Sequence, residues 1–374
     1  MVVRVLHLRS SAGFYGAERV IVTLMKRSPG DHIETTLACI ENYISGDQSL
    51  LNRAQQAGLK ALEIPCKSRM DFRTINHLVT VCKENQIDII HSHDYKSHFY
   101  GLIASKFAGC KQVATLHGKT LGNVKNRVFE LVENLLLHMV SHITVVSEPL
   151  FNSLSGSGLS KKLSQIANGV DDHSFNPDIK GFGKNYWGFD SSSFVFGTIG
   201  RMSEEKGHRL LIEAFSKLSV KNGKARLLLI GNGPLYEDLV ELSQSLGLGS
   251  KVKFAGSRTE VERILNDMDC YVSPSHTEGM PMSILEAMAT GLPIVATEVG
   301  SVGHLLRDDH GKLLQPGNID ELARQMQSVL DGINFMKEAG KKCRTRVEKE
   351  FSAGIQSREF ANVYRSVLKN PESD

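Results

Sequence analysis

Again and again along this chain, a short run of β-branched residues gives way to a longer stretch of helical periodicity. Few folds accommodate that alternation. "VRVLHL" leads into "AERVIVTLMKR", "TTLACI" into "SLLNRAQQAG", "IDIIHSHD" into "SHFYGLIASKFAG", and "KQVATLHG" into "NRVFELVENLLLHMV". Strands separated by helices pair in parallel, so a mostly parallel sheet wrapped by helices is predicted. Residues 168–189, "NGVDDHSFNPDIKGFGKNYWGF", are rich in Gly, Asp and Asn, lack any periodicity and read as a linker. Beyond them the alternation restarts with "SFVFGTIGR", "ARLLLIGNG", "KVKFAG", "DCYVSPS" and "PIVATEVG". At 374 residues the chain is too long for one ordinary core. Two doubly wound α/β domains are expected, over 1–172 and 173–355, with a cleft between them. Ligands of open α/β sheets bind beyond the carboxyl ends of the strands, and chemistry is sought there.

Composition narrows the partners. With 41% apolar and 23% charged residues the chain has the balance of a soluble globular protein. No apolar run reaches the roughly 18 residues of a membrane span. "MVVRVLHLRSSAG" reads as a first strand and not as a secretory leader. Cys39, Cys66, Cys82, Cys110, Cys270 and Cys343 are scattered without a CxxC or a metal-ligand spacing, which fits free thiols in a reducing, cytoplasmic setting. Residues 1–170 hold 19 Lys/Arg against 13 Asp/Glu, and residues 171–374 hold 25 against 28, so charges of +6 and −3 sum to the +3 of the whole. An anionic surface or acceptor on the first half is one explanation, and a random spread of solvated charges is the other. Residues 125–140, "KNRVFELVENLLLHMV", read either as an interfacial helix touching an anionic membrane or as a helix packed on the sheet. No nucleic-acid partner is expected.

Several strand ends carry candidate chemistry. "RSSAGFYGAERV" offers Gly13 and Gly16 for a tight turn, with a following helix whose N–H groups would face an anion, but it lacks GxGxxG. "GTIGRMSEEKG" presents Arg201 and Lys206, a forked donor and a point charge suited to a diphosphate, flanked by Gly200 and Gly207. "LLLIGNGP" adds Gly231 at a second glycine-lined strand end. His91, His93 and His117 close two further strands. His91 and His93 share a strand face, so one of them is expected to be structural, and His117 is the stronger functional candidate. The HxH pair hints at a metal, yet no Cys or carboxylate set completes a site. In "SPSHTEGMPMSILEAMATGLPIVAT", Pro281 suits the first turn of a helix and Gly279 an unusual backbone angle before it. Glu278 then stands at the helix mouth and Glu286 roughly 10 Å further on. Carboxylates there are either dipole-facing or solvated groups, or acceptors for sugar hydroxyls on either side of a phosphate bound at the helix start.

With "GRMSEEKG", the E-x7-E stretch, "GAERV" and "ANGVD" in place, the chain resembles the retaining nucleotide-sugar glycosyltransferases of the GT-B fold, family 4, over nearly its whole length. The resemblance implies two Rossmann-like domains facing across a cleft, with the C-terminal helix, 356–374, crossing back to complete the first, acceptor-side domain. It implies that Arg201 and Lys206 clamp the donor diphosphate, that Glu278 binds hydroxyls of the transferred sugar and Glu286 those of the ribose. The backbone from Gly279 through Met280 and Pro281 to Met282 would approach phosphate and sugar. Gly231 would border the nucleotide, His117 would contact the sugar near the reacting carbon, and Gly13 to Gly16 would lie near phosphates or acceptor. Arg201, Lys206, His117 and Glu278 are the expected catalytic set. No metal or other cofactor is implied, UDP is the expected nucleotide, and the acceptor is a glycan or a lipid-linked glycan of a surface polysaccharide or glycolipid. The family's usual double glycine in the first loop is replaced here by Tyr15-Gly16, which would narrow the acceptor entrance. A sugar-nucleotide epimerase on the same scaffold and a small-ligand binding protein are the alternatives.

Overall fold

A computed structural model describes residues 2–10, 13–28, 32–42, 44–68, 70–118 and 135–369. The described chain falls into two compact units, one of residues 1–169 with 353–374 and one of residues 170–352. Of the segment read above as a membrane-facing or packed helix, residues 125–134 lie outside the described residues.

In the first unit the strands are β1 (Val3–Arg9), β2 (Ile33–Ile40), β3 (Ala61–Ile64), β4 (Ile89–Ser92), β5 (Lys111–Leu116), β6 (His142–Val145) and β7 (Leu163–Gln165). Their spatial order is β3-β2-β1-β4-β5-β6-β7, and every pair is parallel. β1 sits between β2 and β4, where the winding changes direction, and is buried along most of its length. Such a reversal opens a crevice at the strand carboxyl ends. The helix Ala353–Lys369 belongs to this unit: Phe360, Ala361, Tyr364 and Val367 close over Val3, Val5, Ile89 and Val113. It starts three residues earlier than read from the sequence.

The second unit repeats the plan with β8 (Phe194–Ile199), β9 (Ala225–Ile230), β10 (Val252–Phe254), β11 (Cys270–Ser273), β12 (Ile294–Thr297) and β13 (Lys312–Leu314), in the order β10-β9-β8-β11-β12-β13. Here the reversal lies between β8 and β11, and all pairs are again parallel. Both units are thus Rossmann-like doubly wound sheets.

Residues 168–189 are not a loose linker. Trp187 and Phe189 are buried. The Asp267 carboxylate accepts from Trp187 Nε1 at 2.8 Å, Gly183 N at 2.7 Å and Phe182 N at 3.2 Å, clasping the segment to the second unit. Aromatic burial and one carboxylate anchor chain that carries no periodic pattern.

Candidate active site

In the second unit, the chain leaving β8 passes Gly200 and the exposed Arg201 and makes one 3-10 turn, Glu204–Lys206. It then enters the helix His208–Lys221. The turn is held by backbone: Met202 N donates to Asn232 O at 3.0 Å, and His276 N donates to Glu205 O at 2.8 Å. Gly207 joins turn and helix at φ +64°, and a β-carbon there would fall 2.1 Å from the Pro274 carbonyl oxygen. Only glycine satisfies both conditions. Gly207→Ala is therefore expected to cost roughly 1–3 kcal/mol of stability by forcing the turn off the β11 loop. Thermal unfolding of the variant beside the parent measures this, and an unshifted midpoint would refute it.

That turn delivers Lys206 to the far side of the switch point. Its Nζ lies 2.7 Å from Glu278 Oε1, and the same oxygen accepts from Ser275 Oγ at 2.8 Å. The Glu278 side chain is 9% exposed, so its charge is largely withdrawn from water and held by these two donors. Glu278 is placed from behind by Gly300, at φ +56°, whose α-carbon sits so close that an added β-carbon would be 2.0 Å from Glu278 O. Ser301 N also donates to Gly279 O at 2.9 Å.

The helix after Glu278 runs Met282–Ala289. Pro281 is its N-cap, with ψ 117°, and not a first-turn residue; Gly279 is not among the left-handed glycines, a role that falls to Gly300. With a proline at the cap, the first amide N–H of the helix belongs to Met282, and the leading amides have no intrahelical acceptor. Met280, Pro281 and Met282 are buried beside them. Glu286 is 2% exposed, so it is no solvated surface group. It lies close enough to Tyr271 to act on it: burial pushes the Tyr271 hydroxyl up to about 12, and the Glu286 charge pushes it the same way. Gly231 abuts Gly200 at the ends of β9 and β8, with its N–H donating to Gly256 O at 2.9 Å. Arg201, Lys206, Gly231, Glu278, the 279–282 turn and Glu286 thus all belong to the carboxyl-end side of one sheet. His208, unnoticed in the sequence, is buried at the first position of its helix with neither ring nitrogen bonded among the described residues. Burial, aided by the Lys206 charge, lowers its pKa to about 4. A histidine following a glycine turn carries no motif that would mark it.

In the first unit, Gly13 lies under the folded-back ring of the half-exposed Tyr15, and Gly16 opens the helix Gly16–Arg27. Glu18 caps that helix through Tyr15 N, which donates to Oε2 at 3.0 Å. It also accepts from Arg9 Nε at 3.0 Å and from an Arg9 terminal nitrogen at 2.8 Å. Burial opposes the Arg9 charge, but Asp94 and Glu18 outweigh it and raise its pKa. This Arg9–Glu18–Asp94 network at the first switch point escaped sequence reasoning, because Asp94 is brought to Arg9 only by the β1–β4 pairing.

His91 and His93 are both buried and bonded within the first unit. His91 Nδ1 pairs with Tyr364 OH and Nε2 with Thr115 Oγ1, each at 2.6 Å, which ties the C-terminal helix to β4 and β5. His93 bridges His7 and His117, with Nε2 3.0 Å from His7 Nδ1 and Nδ1 3.2 Å from His117 Nε2. His117 is partly exposed at the end of β5. His7, His91 and His93 bring ring nitrogens within 4.8 Å of one another. A cation there would take one His91 nitrogen and so would have to displace the bond that nitrogen already makes, to Tyr364 or to Thr115.

Comparison with known proteins bears on both units. Residues 183–346 match the family model "Glycosyl transferases group 1", and residues 14–174 match "Glycosyltransferase Family 4". The chain is 27% identical to the UDP-Gal:alpha-D-GlcNAc-diphosphoundecaprenol alpha-1,3-galactosyltransferase of Escherichia coli, over 98% of each chain. It is 25% identical to the capsular polysaccharide biosynthesis glycosyltransferase CapM of Staphylococcus aureus, over 81% of this chain and 83% of that one. Among solved structures, Anabaena HepE in complex with UDP and glucose superimposes with a TM-score of 0.85 at 20% identity, covering 97% of this chain and all of the other. That likeness establishes the GT-B fold.

Proposed function

Because this chain belongs to the group 1, family 4 glycosyltransferases, we propose that it moves a sugar from a UDP-sugar to an acceptor hydroxyl with retention of configuration. The observation that carries the reading is the Lys206–Glu278 pair, set beside the leading amides of the helix Met282–Ala289. An ammonium has three donors; one goes to Glu278, and two remain for phosphate oxygens. Arg201 adds a second cation at the same strand end. Positive charge and backbone amides together stabilise a departing diphosphate, which is the charge that develops in the reaction. Glu278 takes hydroxyls of the transferred sugar, and the buried Glu286 takes the ribose diol. His117 meets the transferred sugar by family correspondence.

In the proposed step the bond from the anomeric carbon to the diphosphate oxygen breaks and a bond to the acceptor oxygen forms on the same face. The acceptor's proton passes to the departing diphosphate, which serves as its own base, and the cations do the work a divalent metal does elsewhere. UDP as carrier and a lipid-linked glycan as acceptor draw support from the E. coli relative, whose name specifies both. A lipid-linked acceptor would bring the enzyme to a membrane surface peripherally; among the described residues no helix is long and apolar enough to cross one.

The test is a panel of UDP-sugars incubated with diphosphoundecaprenol-linked sugars and short glycans, with and without EDTA, and the product linkage read by NMR. An α-linked product from an α-donor, formed equally with EDTA, is expected. A β-linked product would overturn retention, and loss of turnover restored by Mg²⁺ would overturn the metal-free step. Donor converted to another sugar nucleotide without any acceptor would identify an epimerase instead.

A further inference from the structure

His7 has no part in the diphosphate chemistry, yet it is fully buried and bonded end to end with two other imidazoles. The three rings form a chain, His7 Nδ1 to His93 Nε2 and His93 Nδ1 to His117 Nε2. Among the described residues, His7 Nε2 at one end and His117 Nδ1 at the other have no partner. Each ring–ring bond needs one proton. Burial keeps His7, His93 and His117 uncharged, with His7 and His117 lowered to about 3 and the Arg9 charge acting on His93 and His117 in the same direction. The chain therefore carries one proton per ring.

Only two arrangements then satisfy both bonds. Either every ring is protonated at Nδ1, so that His7 donates to His93 and His93 to His117, or every ring is protonated at Nε2 and the direction reverses. The first leaves the unpaired N–H on His117 Nδ1, an atom that is itself covered but belongs to a residue that is partly exposed, where a ligand oxygen can come to accept it. The second seals an unpaired N–H at His7, which is 0% exposed. Either arrangement buries an unpaired donor, and such a donor needs a partner; only the His117 end belongs to a residue that a ligand can reach, so the first arrangement is favoured. Successive bonds in one sense also polarise one another.

We propose that His7 and His93 are positioning residues that orient the His117 ring and fix its proton on Nδ1, so that His117 offers a hydrogen-bond donor to an oxygen of the transferred sugar. The relay follows from the first unit alone; its use on a sugar rests on the reading of His117 given above. The sequence separates His7 from its relay partner His93 by 86 positions. Only the β1–β4 register, which places His7 beside His91, brings them together.

Nitrogen-15 NMR of the histidine-labelled protein reads the relay directly. Expected are Nδ1 protonation of His7, His93 and His117, together with scalar couplings across the two N–H···N bonds. Protonation of His117 at Nε2, or absence of the couplings, overturns the proposal. Steady-state kinetics supply the second arm. His7→Leu is expected to lower kcat about tenfold, the worth of one hydrogen bond, with little change in donor KM. His7→Asn, whose amide can donate from the Nδ1 position, should recover most of that loss. Equal losses in folded His7→Leu and His7→Asn would reduce His7 to packing and overturn its positioning role. Unchanged turnover in His117→Ala, with the couplings present in the parent, would strike the sugar contact and leave the relay standing.

Discussion

Lys206→Ala is expected to lower turnover by on the order of a hundredfold or more, the effect of removing a fixed donor from a developing anion. Lys206 is carried to its place by a backbone-held turn and oriented by Glu278 at 2.7 Å. Little reorganisation is then needed when charge builds on a leaving phosphate. The cost to folding should be small beside this, about 1 kcal/mol, because the Lys206 side chain is still 28% exposed and its ion pair is partly screened. Activity and stability therefore separate: kcat should collapse while the melting temperature moves by a few degrees. Lys206→Arg keeps the charge but replaces a compact ammonium by a wide fork in a slot shared with Glu278 and Ser275, and only partial recovery is expected. Near-normal turnover in the alanine variant would remove the diphosphate clamp from the mechanism.

Mild acid should unfold the protein, and the first unit before the second. Burial lowers His7 and His117 to about 3 and His98 to about 4, and pushes His91 and His93 well below their ordinary value, all in the first unit. In the second unit His208 falls to about 4. Each of these is a base whose folded pKa lies below its unfolded value of 6.5. As pH drops through 6.5 the unfolded chain takes up protons that the folded chain refuses. Stability is then lost at about 1.4 kcal/mol per pH unit for each such histidine, until the folded pKa is reached. At pH 5 that is about 2 kcal/mol apiece, and several together rival the whole stability of an ordinary domain. Trp187, the one tryptophan, sits in the second unit and reports on it. Far-UV circular dichroism should therefore begin to fall at a higher pH than the Trp187 fluorescence changes. A melting temperature constant from pH 7 to 5, or coincident transitions, would contradict this.

The architecture was legible because alternation of short β-branched runs and helices is a local signal that survives in sequence. The strands β7 (LSQ) and β13 (KLL) were not, since neither contains a β-branched residue. At the site, Arg201, Lys206, Glu278 and Glu286 could be singled out by charge type beside glycine and proline. The direct bond between Lys206 and Glu278 could not, because it joins positions 72 apart through the β8–β11 pairing. The same reason hides Arg9, Glu18 and Asp94 as a set, and Gly300 as the support of Glu278. Proline and glycine misled in one place: Pro281 caps the helix where a first-turn position was predicted, because its extended ψ turns the chain before Met282. The segment 168–189 misled in another, since its buried Trp187 and Phe189 outweigh a composition typical of connectors.

The helix Ala353–Lys369 has a bearing on how the protein is made. Its Phe360, Tyr364 and Val367 cover apolar residues of β1, β4 and β5, and the Tyr364 hydroxyl completes His91. A ribosome must translate the entire second unit before this cover exists. Until then the earlier half emerges with Val3, Val5, Ile89 and Val113 unsheltered, an invitation to chaperones and proteases. The second unit, continuous in the gene, can close on its own schedule, so a premature stop ahead of Ala353 would ruin the half of the molecule synthesised first.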